Sequence, residues 1–370
     1  MIFSTNSKVL EKVLSKVFPA VPARTPMPIL ENFLFQIEDG KLTVTATDIE
    51  ITLRSSVFID SIDNAEMVVP AKLLFDIVKS LGDTLINFEI DSSNSKMRLK
   101  TETGSYNIGY ASADEFPKIP DVNHDKKFAI AARQLKKSLD QTSFAVSKEA
   151  IRPAMMGLLI EFNMEGLRFV ATDGHRLVRY SLLSEKSEIP EQYVVPERAT
   201  SVLSKLLVEG TVEVALNDST ISFILEDVEL TSRLINQKYP DYNSVIPLEN
   251  EFRLKVKKSE LQSSIKRMLL FTTTNYQQVK LTLTTDQLEI TAENVEHGSS
   301  AKEIVTCEYI GDEMSIGFNA GFLNDVLSHL DDTEAVFKLH SPTKACIIEP
   351  LTQKENEDLM MLLMPVRINN

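Results

Sequence analysis

Five histidines, His124, His175, His297, His329 and His340, are the side chains best suited to proton transfer or metal ligation near neutral pH. No two form a His-x-x-x-His pair with an intervening Glu, so the zinc-protease pattern is absent. Cys307 and Cys346 lack metal-like spacing and read as two free thiols of a reducing compartment. No Gly-x-Ser-x-Gly elbow occurs, and no Gly-x-Gly-x-x-Gly. Gly104 to Gly109 has the glycine spacing of a phosphate loop, but Tyr110 stands where its lysine belongs. The acidic residues are numerous, and no pair stands out. His175 is left as the one candidate general base. A lone histidine after a turn is more often a contact residue, so no catalytic residue, cofactor or metal is expected.

His175 lies in Val170-Ala171-Thr172-Asp173-Gly174-His175-Arg176-Leu177. The alternating run Leu167–Val170 predicts a strand, and Asp-Gly predicts the turn after it. The same pattern precedes Asp48 and Asn294, so it occurs three times, and only the middle copy carries Gly-His-Arg. Each copy follows an amphipathic helical run: 7–18, 135–144 and 261–270. Each is followed by a second helical run: 69–81, 195–207 and 318–327. Pro70 is expected at the start of one of these helices and Asn319 at the cap of another. Hairpins follow, at Asp39-Gly40, Glu165-Gly166 and Asp286-Gln287 after the first helices. Others lie around Ser92-Ser93-Asn94, Asn217-Asp218-Ser219 and Ser341-Pro342 after the second. The chain reads as six helix–hairpin units in three repeats. Proline-rich breaks at Phe116–Asp121 and Tyr239–Pro247 separate them.

The 370 residues are 43% hydrophobic, enough for several cores, and no apolar run reaches membrane-spanning length. The start has no signal-peptide pattern, so a cytoplasmic protein is expected. The net charge is −14, yet the six helical segments together carry +7. A positive helix population in an acidic protein fits two readings: ordinary solvated lysines, or a shared helix face that meets phosphate. On the residues alone three functions stay open: a DNA-binding module, a protein scaffold, and an enzyme centred on His175.

The sequence resembles the bacterial DNA polymerase sliding clamps, the beta subunits of the replicative polymerase. The resemblance spans the chain. It rests on Arg24-Thr25-Pro26-Met27-Pro28-Ile29-Leu30, Val69-Pro70-Ala71-Lys72, Ala171 to Leu177, Tyr239-Pro240-Asp241-Tyr242, Ile316-Gly317-Phe318-Asn319 and Met364-Pro365-Val366-Arg367. It implies an α+β fold of three clamp domains, 1–121, 127–248 and 252–370. Helices would line a ring closed by a homodimer, with antiparallel sheets outside, and there would be no catalytic activity.

The resemblance further implies a partner-peptide pocket between the second and third domains. Thr172, Gly174, His175, Arg176 and Leu177 would form one wall, extended by Met155, Pro240 and Val245. Asn319, Phe322 and the tail Leu362, Leu363, Met364, Pro365, Val366 and Arg367 would close it, with Tyr276 and Thr343 at the far edge. Arg24 and Lys72 would contact DNA. Tyr106 and Ile108 would meet Leu270 and Phe271 across the dimer interface. Where some members carry an aromatic pair after an arginine, Arg152 is followed by Pro153-Ala154, so no stacking platform for single-stranded template is implied. The implied partners are duplex DNA without sequence preference, the replicative polymerase catalytic subunit, the clamp loader, and other clamp-binding-peptide proteins. These last include repair polymerases, ligase and mismatch-repair proteins. No membrane is expected.

Overall fold

A computed structural model describes residues 2–61, 63–119, 126–273 and 277–368. The first repeat runs Ile2–Asn6 (β1), Ser7–Val17 (α1), Asn32–Glu38 (β2), Lys41–Thr47 (β3) and Ile51–Phe58 (β4). It continues with Ala65–Pro70 (β5), Ala71–Ser80 (α2), Leu85–Asp91 (β6), Lys96–Lys100 (β7) and Ser105–Gly109 (β8). The second runs Lys126–Ala131 (β9), Ala132–Thr142 (α3), Gly157–Asn163 (β10), Gly166–Thr172 (β11) and Arg176–Leu182 (β12). Glu191–Pro196 (β13), Glu197–Leu206 (α4), Thr211–Leu216 (β14), Thr220–Ile224 (β15) and Val228–Arg233 (β16) complete it. The third runs Phe252–Lys257 (β17), Lys258–Met268 (α5), Gln278–Leu283 (β18), Gln287–Asn294 (β19) and Ser299–Ile310 (β20). Met314–Asn319 (β21), Ala320–Ser328 (α6), Glu334–Leu339 (β22), Cys346–Pro350 (β23) and Glu357–Leu363 (β24) end the chain.

Each of the six units is therefore βαβββ. The expected helix–hairpin is present in every one, with a strand before the helix and a third strand after the hairpin. The leading strand explains the misplaced Pro70. Val69 and Pro70 pair with Phe33 and Asn32, so they end β5, and Pro70 caps α2 from outside. A residue before proline favours extended backbone, which suits a strand better than a helical turn. The helices otherwise follow their apolar periodicity. Leu10, Val13, Leu14 and Val17 form the buried face of α1, and the Asn6 carboxamide accepts from the Lys8 amide at 2.8 Å to cap it.

The residues form two compact bodies, Met1–Lys136 with Ser201–Leu234, and Lys137–Thr200 with Ile235–Asn370. The first holds a four-stranded sheet β1-β6-β7-β8 and an eight-stranded sheet β5-β2-β3-β4-β16-β15-β14-β9. The second holds one twelve-stranded sheet, β13-β10-β11-β12-β24-β23-β22-β17-β20-β19-β18-β21. Within a repeat the two units exchange leading strands: β1 joins the sheet of the second unit, and β5 that of the first. Between repeats, third strands meet edge to edge. β4 pairs with β16 in one body, and β12 with β24 in the other. That continuity is why the compact bodies cut through the middle repeat. Cys307 and Cys346 are both buried and unbonded to each other, and burial raises both thiol pKa values. Among the described residues no helix is long and apolar enough to cross a membrane, and no group of acidic, histidine and cysteine side chains is arranged to hold a metal.

Candidate peptide-binding pocket

The Thr172–Leu177 turn joins β11 to β12 and is held by its own side chains. Thr172 Oγ1 donates to the Arg176 carbonyl at 2.7 Å and accepts from the Gly174 amide at 3.1 Å. Asp173 Oδ1 accepts from the His175 and Arg176 amides, both at 2.9 Å. The first repeat builds the same turn. Thr47 Oγ1 donates to the Ile51 carbonyl at 2.8 Å and accepts from the Ile49 amide at 3.0 Å. Asp48 Oδ1 accepts from the Glu50 and Ile51 amides at 3.0 and 2.8 Å. The Asp repeat read from sequence is thus a conserved hydrogen-bonding device within one chain. The third copy departs from it: Asn294 Oδ1 accepts from the His297 amide at 3.2 Å in a longer connection.

The left-handed position of the turn is Gly174, with φ +87°, in the middle repeat and Ile49, with φ +79°, in the first. A β-carbon on Gly174 would fall 2.6 Å from Arg152 Nη1, so glycine gives both the backbone conformation and the room for that guanidinium. Ile49 is 39% exposed and carries the strain of a branched side chain in the left-handed region. Ile49→Gly is therefore expected to stabilise the protein by about 1 kcal/mol, the αL penalty of an L-residue less the extra chain entropy of glycine. Denaturant unfolding followed by circular dichroism measures it, and a lower midpoint counts against strain at this turn.

Beside the middle turn lies a cavity of about 510 Å³. Of the expected residues, Met155, Thr172, Gly174, His175, Arg176, Leu177, Pro240, Val245, Leu362 and Met364 line it. Its floor is a buried apolar cluster containing Leu159, Val170, Leu177, Tyr239, Tyr242, Ile347 and Leu362. Leu177 and Leu362 are cross-strand partners, so they share the cavity face of the sheet. The Tyr242 hydroxyl donates to Glu161 Oε2 at 2.6 Å, and burial followed by that bond pushes its pKa up to about 12. The rim is apolar and open: Ile151 is 90% exposed and Val245 52%. The tail is tied down as it passes. The Met364 amide donates to the His175 carbonyl at 2.8 Å, and the Val366 amide to the Gly317 carbonyl at 2.9 Å.

The other described residues expected at the pocket do not line this cavity. Leu363 is fully buried opposite Arg176 and Cys346, one residue out of phase with Leu362, so it faces away from the cavity. Asn319 caps α6, its carboxamide accepting from the Phe322 amide at 3.0 Å. Phe322 stacks on His175 with ring centroids 5.8 Å apart, outside the cavity lining. Pro365 and Val366 follow the tail toward β21, the Arg367 carbonyl accepts from Gln278 Nε2 at 3.2 Å, and Thr343 is exposed in the β22–β23 turn. Tyr276 lies outside the described residues. The cavity adds Ile151, Arg152, Pro153, Ala154, Gln237, Asp241 and Tyr242. Pro153-Ala154, read in sequence as a lost stacking platform, forms part of this wall. Tyr239 and Tyr242, in the Tyr239–Pro247 stretch read as a break between repeats, pack against the sheet because their rings are large and apolar.

At the other expected sites, Arg24 and Lys72 are exposed, and Lys72 is paired with Asp76 at 2.9 Å. Leu270 is 79% exposed and Tyr106 36%. Ile108 is 2% exposed, buried in the core of its own sheet, so its side chain is not available to a partner and only its backbone edge is.

Three family models match along the chain: the N-terminal domain of the DNA polymerase III beta subunit over residues 1–120, the central domain over 129–241 and the C-terminal domain over 243–367. The Beta sliding clamp of Pseudomonas aeruginosa is 31% identical over 373 residues, covering 100% of both chains. That of Escherichia coli K12 is 28% identical with the same coverage. The crystal structure of the DNA polymerase III subunit beta from Pseudomonas aeruginosa superposes with a TM-score of 0.94 at 31% identity, covering 100% of both chains. A sliding clamp from Bartonella birtlesii, solved bound to griselimycin, gives 0.92 at 30% identity and the same coverage. The chain belongs to the DNA polymerase III beta subunit family: it is a sliding clamp, a non-catalytic processivity factor that tethers a DNA polymerase.

Proposed function

We propose that two copies of this chain close head-to-tail into a ring around duplex DNA, and that the cavity beside His175 takes a peptide from each protein the ring tethers. The carrying observation is a rule of strand pairing. The third strand of a repeat's first unit pairs with the third strand of the next repeat's second unit, as β4 does with β16 and β12 with β24. Applied around the chain, the rule leaves two strands over. They are β20 in the third repeat, whose Ser299–Thr306 stretch pairs on one side only with β19, and β8 in the first, which pairs only with β7. An open strand edge is a template for another chain. Pairing β8 of each copy with β20 of the other uses both edges twice and closes a two-fold dimer. Tyr106 on β8 and Ile304 on β20, the latter 58% exposed, supply apolar surface for it, as do Leu270 and Phe271. Repeat bounds of 1–121, 127–248 and 252–370 leave each repeat with one such pair of third strands.

On this reading the helices face the DNA. Lys12, Lys205 and Lys266 are exposed and make no ion pair among the described residues, and Arg24 and Lys72 join them as phosphate contacts. Such contacts position a duplex without reading its sequence. The apolar cavity with a few polar groups at its mouth suits an extended peptide with a Gln near its start and Leu-Phe near its end. The replicative polymerase catalytic subunit, the clamp loader, repair polymerases, ligase and mismatch-repair proteins are the partners that would present one, in the cytoplasm.

Sedimentation equilibrium tests the ring. The wild-type chain should be a dimer at micromolar concentration, and Leu270→Ala combined with Phe271→Ala should shift it toward monomer. A monomeric wild type removes the ring.

A further inference from the structure

Arg176 borders the cavity, but strand alternation turns its side chain to the opposite face of β12 from Leu177, away from the cavity floor. There its side chain is 9% exposed and almost fully engaged. Nε donates to Asp173 Oδ2 at 3.1 Å, Nη1 to Asp325 Oδ2 at 2.6 Å, and Nη2 to the Phe144 carbonyl at 2.9 Å. The guanidinium carbon lies 5.2 Å from the Phe144 ring centre and 4.7 Å from that of Phe322. The stack continues at both ends. His329 lies on Phe144 at 3.9 Å and 7°, its Nδ1 2.8 Å from the Asp325 carbonyl, and Phe322 stacks on His175 at 5.8 Å. A column His329–Phe144–Arg176–Phe322–His175 thus links α6 and the end of α3 to the cavity rim. The first repeat has the same turn with buried Ile51 in place of Arg176, so the turn itself does not need the column.

We infer that Asp325 and Phe144 are positioning residues for peptide binding: acting through Arg176 and Phe322, they hold the His175 ring at the cavity rim in the binding-competent arrangement without touching the peptide. This rests on the cavity being the peptide site. A guanidinium between two rings gains from both faces, but its planar fork needs fixed acceptors to hold its angle. Asp325 supplies the only one from α6. Losing it frees the Arg176–Phe322–His175 stack, though not the turn beneath it, to sample other arrangements. The apparent affinity then falls by the fraction of chains still competent, through slower association, because the contacts made once bound are intact. A residue that touches the peptide acts mainly on dissociation instead.

Surface plasmon resonance on the intact clamp, with a synthetic peptide carrying an early Gln and a terminal Leu-Phe, separates the two. Asp325→Ala should slow association on the order of fivefold, a charge-assisted bond discounted for a partly exposed carboxylate, and leave dissociation unchanged. Asp325→Glu should recover most of the loss. In an Arg176→Leu background Asp325→Ala should add nothing, since the partner it holds is gone. Unaltered association, faster dissociation, or an equal loss in the Arg176→Leu background each overturns the proposal. If Arg176→Leu does not fold, the rate split for Asp325→Ala alone decides. Deleting residues 364–370 is the separate control: if that leaves peptide affinity intact, the peptide site is elsewhere, whatever Asp325 does.

Discussion

Loaded onto nicked circular DNA, the clamp should stay bound in salt that strips directly bound protein, and one double-strand cut should release it at once. The expectation follows from the ring proposed above and from the charge distribution. The chain carries −14 overall, and its helix cations are partly neutralised: Lys8 by Glu11, Lys72 by Asp76, Arg267 by Glu303. Fewer helix cations are then free to meet phosphate, which weakens equilibrium binding. A protein held by six phosphate contacts loses about a thousandfold in affinity between 50 and 200 mM salt. A closed ring loses nothing comparable, because leaving a circle requires opening the ring rather than breaking contacts. Gel filtration of labelled clamp on a circle, before and after cutting, reads the difference. Blocking the cut ends with bulky protein should restore retention. Protein that stays on the linear molecule with open ends is held by contacts, and encirclement is then wrong.

Truncation before Met364 should cost about 2 kcal/mol of peptide affinity or more, roughly thirtyfold. Met364 lines the cavity at 40% exposure and is fixed by the hydrogen bond its backbone amide donates to the His175 carbonyl. Anchors that are both apolar and held in place carry most of the energy of such interfaces. The cut leaves the β24 ladder intact through Leu363, so the fold is expected to survive. Fluorescence anisotropy with the peptide and a melting curve on the same sample distinguish a lost wall from a lost fold. Unchanged affinity in a folded truncation places the peptide elsewhere.

Local periodicity carried the helices and hairpins into view, because a 3.6-residue stripe and an Asp-Gly turn are signals that need only their neighbours. The strands before the helices were hidden by continuity: Val69-Pro70 runs straight into Ala71-Lys72-Leu73 without a change in apolar pattern. The exchange of those strands is invisible to any local reading, since β1 and β6 meet across most of a repeat. At the site, the turn and the tail were legible as motifs. The facing of the tail was not assigned, though alternation alone places Leu362 and Leu363 on opposite sides. Asp325 and Phe144 gave no signal. They are 149 and 32 residues from Arg176, and only the fold brings them to it.

The strand exchange also bears on how the chain is made. Ile2 pairs with Glu89, and Phe3 stacks on Phe88 at 4.4 Å with both rings buried. On the ribosome the first strand must therefore wait, exposed, until the sixth has left the exit tunnel, and no half-repeat has a complete sheet to fold into alone. Synthesis proceeds at about 5–20 residues per second, so that wait lasts several seconds for each repeat. Long-range pairing of this kind is slow to close and open to mispairing in the interval. A clamp gene split inside a repeat should give insoluble halves, whereas a split between repeats leaves each fragment all the leading strands its own sheets require.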